Sequence, residues 1–222
     1  MAGPRADNQS PELFGQTPSQ TVGPFFHFGL PWKGGADLVG KSDLGARPEL
    51  FSPEHYVLRN AAERSTPEGE IIEIVGSVVD GKGDAVPDAI IEIWQANSYG
   101  RYDSASDDRE DVALDRNFRG FGRSSTSEQG EFRFRTVRPG PVPGLGNSRQ
   151  SPHIAVSVLA RGLLKRLATR IYFGDEDNEL DPILSLVPID RRHTLVAEME
   201  QPGVWRFDIV LQRDGETVFF DL

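Results

Sequence analysis

The sequence contains no cysteine and only 4 histidines in 222 residues. The first absence excludes a disulfide framework, cysteine-ligated zinc, iron–sulfur clusters and thiol nucleophiles together. The histidines, His27, His55, His153 and His193, fall in no HxH, HxxxH or HExxH spacing, so no local metal clamp is visible. A GxSxG elbow, a phosphate-binding loop and a dinucleotide fingerprint are also missing. No apolar run approaches the roughly 18 residues of a membrane helix, and the polar start MAGPRADNQS does not read as a signal peptide. A soluble, cytoplasmic protein is the expectation. Basic residues are outnumbered, 24 against 34 acidic, for a formal charge of −10. That balance disfavours nucleic acid or an anionic membrane as partner.

What the chain has in quantity is turn chemistry, with 23 glycines and 16 prolines. This favours many short elements over a helical bundle. Residues 1–12 are polar, and residues 13–69 carry no sustained alternation; they read as loops with short helical pieces, the candidate helix being Asp43–Asn60. From Glu70 the pattern becomes that of strands. Glu70–Asp80 is apolar and β-branched and closes on Asp80-Gly81-Lys82-Gly83. Asp88–Gln95 follows. Glu131–Val137 alternates cleanly, with Phe132 and Phe134 on one side, after the turn Glu128-Gln129-Gly130. His153–Leu159 and Leu167–Phe173 are further strands. Trp205, Phe207, Ile209 and Leu211 share one face of another, which returns through Arg213-Asp214-Gly215 into Thr217–Phe220. These elements predict an all-β fold, a β-sandwich of about seven or more strands behind an irregular, partly helical N-terminal segment. The division is an arm over 1–69 and a sandwich over 70–222, in one compact unit.

Two irregular stretches interrupt the strands, Ala96–Gly122 and the Pro- and Gly-rich Pro139–Pro152. Loops this long in a compact sandwich are where chemistry is expected. The acidic cluster at Asp103–Asp111 lacks EF-hand spacing and reads as a solvated surface. On their own, Tyr102 reads as a loop-anchoring tyrosine, His153 as a satisfied core histidine, Thr21-Val22-Gly23-Pro24 as a turn and Arg161 as a surface arginine. Trp94, Trp205 and the paired phenylalanines read as core.

Taken together, five blocks say more: TPSQTVGPFFHFGL, DGKGDAVPDAIIEIWQANSYGRY, FRGFGRSSTSEQGEFRFRTVRPGPVP, PHIAVSVLARG and WRFDIVLQRDGETVFFDL. They resemble the intradiol aromatic-ring dioxygenases over nearly the whole chain past residue 13. Within that family they are most similar to the alpha subunit of its heteromeric, protocatechuate-cleaving member. The resemblance implies a β-sandwich and ring cleavage between two hydroxyls with O2. It also implies a ferric ion (Fe3+) held by two tyrosines and two histidines, since this hard cation favours phenolate donors. Followed residue by residue, the first tyrosine matches Tyr102 and the first histidine His153. The second tyrosine falls on Val142, the second histidine on Ala155, and a helper arginine on Gln150. Val and Ala offer no lone pair, so the chain is expected to carry no iron and no catalytic residue of its own. Fe3+ is expected in a homologous catalytic beta subunit. By the same resemblance the N-terminal segment, with Thr21, Gly23, Pro24 and Phe25, and also Arg161, walls the partner's substrate pocket. Phe25 stands where the family usually has tyrosine. Two other readings stay open: a self-sufficient dioxygenase with unusual ligands, and a non-catalytic, transthyretin-like scaffold or binding module.

Overall fold

A computed structural model describes residues 20–26, 30, 35–40, 42–45 and 65–221. Most of the candidate helix at Asp43–Asn60, and both His27 and His55, lie outside the described residues. Among the described residues, eleven strands run in the order β1 Ile71–Val79, β2 Ile90–Trp94, β3 Phe121–Ser125, β4 Glu131–Val137, β5 Val142–Pro143, β6 Arg149–Gln150, β7 His153–Leu159, β8 Leu167–Phe173, β9 Val196–Gln201, β10 Val204–Arg206 and β11 Ile209–Val210. The sheet order is β11-β1-β10-β9-β8-β7-β2-β3, with β4 antiparallel to β1 and β5–β6 as a separate ribbon. Short 3-10 helices at Leu184–Leu186 and Ile189–Leu195 connect β8 to β9.

The alternation of β1 and β4 explains one half of the structure. Ile72, Ile74 and Val78 of β1 and Phe132 and Phe134 of β4 are buried, while their sequence neighbours face out. They meet Ile91 and Ile93 of β2, and Ile154, Val156 and Val158 of β7, in one apolar cluster. A side chain of this size contributes roughly 1.5–3 kcal/mol when fully buried. The two halves join where Tyr172 and Phe173 of β8 pair parallel with Val196 and Ala197 of β9. On the far side, where β3 and β4 would present free edges, the backbone of 35–38 bridges them. Arg123 donates to the Gly35 carbonyl at 2.8 Å, and Leu38 donates to that of Arg135 at 2.8 Å. The sheet is thereby nearly closed and its edges are covered.

Three elements depart from the pattern reading. Phe121–Ser125 is a strand at the end of a stretch that reads as irregular, because β2 supplies its ladder while Gly122 and Ser124 fill the inward positions. Val196–Gln201 is a strand despite its polar sequence, held by β10 and the end of β8. Thr217–Phe220 forms only a single bridge, Phe220 to Ala168, rather than a strand. The Trp205–Leu211 run is split into β10 and β11, with Phe207 donating to the Val75 carbonyl at 2.8 Å between them.

Candidate functional site

The outward faces of β2, β7 and β8 carry the site. Directly opposed residues on antiparallel strands project to the same side. His153 is paired with Tyr172, Ala155 with Arg170, and Trp94 with Ala155. The two long loops fold over this face. Tyr102 stacks on Trp94, with ring centroids 5.7 Å apart and planes 15° from parallel. Val142 and Gln150 pair in the β5–β6 ribbon, and Gln150 reaches the centre of the face.

The Tyr102 loop is fixed by one buried amide. Asn97 accepts from the Tyr99 and Arg101 backbone at 3.0 and 2.9 Å and donates to the Ala113 carbonyl at 2.9 Å. Gly100, at φ 83°, turns the chain so that an added Cβ would lie 2.1 Å from the Pro141 carbonyl. A Cβ on Gly140 would meet the Ser98 carbonyl at 2.5 Å. The two loops thus meet backbone to backbone, which only glycine permits. In the acidic cluster, Asp107 accepts the Tyr102 N–H at 2.8 Å, and its hydrogen bonds from Arg109 hold its pKa down to about 2.

His153 is buried, and its Nδ1 lies 2.8 Å from the Ser151 carbonyl. A carbonyl only accepts, so Nδ1 carries the proton and Nε2 keeps its lone pair. Burial, aided by the Arg170 charge, lowers its pKa to about 4, and the ring is neutral at pH 7. Burial likewise raises the pKa of the Tyr102 phenol. Sequence reasoning missed the group that organises the face. Arg170 donates from one guanidinium nitrogen to Gln150 Oε1 at 2.7 Å, and the same nitrogen lies 3.4 Å from the Tyr172 hydroxyl. Tyr172 donates to Asp181 at 3.0 Å, and Asp181 also accepts from the Ser151 backbone at 2.8 Å. The signal was available: Arg170 is the charged residue of an otherwise apolar or hydroxylated strand, Leu167–Phe173.

These residues do not fit a ferric ion. Two of the four positions carried over from the resemblance, Val142 and Ala155, have no donor atom. A fixed guanidinium sits opposite Ala155. What remains at those four positions, the Tyr102 phenol and the His153 imidazole, cannot satisfy a hard trivalent cation, and the Tyr172 phenol beside them is committed to Asp181.

The residues read as a wall for a neighbouring pocket lie away from this face. Thr21 Oγ1 accepts the Gly162 N–H at 2.5 Å, so the 21–26 turn is brought beside Arg161. Gly23, Pro24 and Phe25 are exposed, Phe25 to 73%. Arg161 is more than half exposed, and its Nε lies 2.8 Å from the buried Asp88 carboxylate. That contact is ionic, because neither Asp88 oxygen receives a well-angled hydrogen bond.

Comparison with known proteins agrees with the geometry. The dioxygenase family model matches residues 51–213. A protocatechuate 3,4-dioxygenase alpha chain of Burkholderia cepacia is 43% identical, over 93% of this chain and 98% of that one. The beta chain from the same organism is 34% identical, over 80% of this chain and 77% of its own. An intradiol ring-cleavage dioxygenase of Tetranychus urticae shares the fold at a TM-score of 0.50 and 18% identity, covering 66% of this chain and 84% of that structure. The chain belongs to the intradiol dioxygenase family.

Proposed function

We propose that this chain is the alpha-type, iron-free subunit of a heteromeric protocatechuate 3,4-dioxygenase. A homologous beta-type chain would hold Fe3+, and the complex would cleave protocatechuate with O2 to 3-carboxy-cis,cis-muconate. The observation that carries this reading is the face built by β7 and β8. The positions that the resemblance assigns to ligands are aliphatic at Val142 and Ala155, and Arg170, opposed to Ala155, reaches the Gln150 partner of Val142. The similarity to an alpha chain over nearly full length supports the same conclusion. In this reading the N-terminal segment, residues 1–69, packs on the partner, and Thr21, Gly23, Pro24, Phe25 and Arg161 wall its substrate pocket. The Thr21–Gly162 hydrogen bond supports this, since it joins the two segments at an exposed surface. An anionic substrate near a chain of charge −10 benefits from a local cation, because charges beyond about 8 Å are screened at physiological ionic strength.

The test is reconstitution. The chain alone turns over no protocatechuate. Co-purified with a beta-type homologue, it forms a complex with O2-dependent ring cleavage. Ring cleavage by the chain alone, or failure of the two chains to associate, contradicts the proposal.

A further inference from the structure

We propose that Arg170 is an internal cation that closes the former metal pocket: it supplies the positive charge at the centre of the face and keeps a metal out even when donors are restored. The inference rests on the reading of Val142 and Ala155 as ligand positions, and it goes beyond that reading in naming what replaced the ion. The register carries it. Ala155 and Arg170 are directly opposed, so the arginine leaves from the β8 position nearest the missing histidine. Its nitrogen is engaged by Gln150, which itself pairs with Val142, the missing tyrosine position. It also lies 3.4 Å from Tyr172, the residue opposite His153. One side chain thus reaches toward three of the four positions. Among the described residues no carboxylate forms an ion pair with it, so its charge faces neutral groups: the Gln150 amide, the Tyr172 phenol and the His153 ring. Asp181 meets the guanidinium only through the Tyr172 hydroxyl, which donates to it. A guanidinium stays protonated at any working pH, so a ferric ion entering this pocket meets a permanent like charge.

The experiment compares full-length chains carrying Val142→Tyr and Ala155→His with the same chains also carrying Arg170→Gln. Ferric iron bound per chain and the visible phenolate-to-iron absorption are read for each. Expected is at least about a tenfold higher iron affinity with Arg170→Gln than without it, near the effect of one opposed charge. Equal affinity in the two chains, or no binding in either, overturns the proposal. Should the multiply substituted chains not fold, a thermal double-mutant cycle decides between the outcomes. Gln150→Glu places a carboxylate against Arg170 and raises the melting temperature by about 2–4 °C in the native background. In the Arg170→Gln background the rise is absent. The same shift in both backgrounds overturns the proposal. The reading of the chain as an alpha-type subunit fails separately, by the reconstitution of the unsubstituted chain.

Discussion

His153 turns burial into a pH response. Its folded-state pKa lies near 4, below the 6.5 of a free imidazole, because burial disfavours the charged ring. The unfolded chain therefore binds more protons between those values, and stability rises with pH across that window. The contribution is complete above about pH 6.5 and is lost as pH falls toward 4. The shift corresponds to on the order of 3 kcal/mol. Urea unfolding of the native chain and of His153→Gln at pH 7 and pH 4.5 isolates it: the native chain should lose more stability on acidification, and parallel losses would remove His153 as the cause. Arg161 pairs with Asp88 and, in the proposed reading, also walls the partner's pocket, and one substitution confounds the two. Arg161→Ala leaves the buried Asp88 carboxylate without its cation, at a cost of about 1–3 kcal/mol. In the complex it should also lower kcat/KM for protocatechuate by roughly 10- to 100-fold, and less for catechol, which has no carboxylate. Adding Asp88→Asn should recover the stability and leave the kinetic loss. If both recover together, Arg161 is structural only.

At the scale of elements, the loops that cover the face depend on two glycines. Gly100→Ala combines a left-handed backbone with a Cβ 2.1 Å from the Pro141 carbonyl, and it should cost more than about 2 kcal/mol. Calorimetric melting checks this, with Gly146→Ala as the control, since Gly146 has open space around its Cβ. A Gly100→Ala chain that melts no lower than the control would mean that the two loops do not lock each other. The strands show what alternation can and cannot convey. Glu131–Val137, His153–Leu159 and Leu167–Phe173 were legible to the residue, because one face of each is apolar and packed. Phe121–Ser125 and Val196–Gln201 were not, because their place is set by neighbouring ladders and not by their own side chains.

Across the whole molecule, the halves of the site differ in how they were written. Val142, Ala155 and Gln150 stand out in the sequence because the resemblance expects donors or an arginine there and the chain has aliphatic residues and an amide. Arg170 does not stand out in the same way, because it comes from a separate strand and meets Ala155 only through the β7–β8 register. The Thr21–Gly162 contact is equally non-local, across 141 positions. The central claim is that this chain shapes a site whose iron belongs to its partner, and metal content tests it most directly. Iron analysis with a visible spectrum should find the purified chain colourless and without bound iron. Its complex with a beta-type chain should be red-brown, with about one iron per pair from phenolate-bound ferric iron. Stoichiometric iron with that absorption in the chain alone would contradict the account.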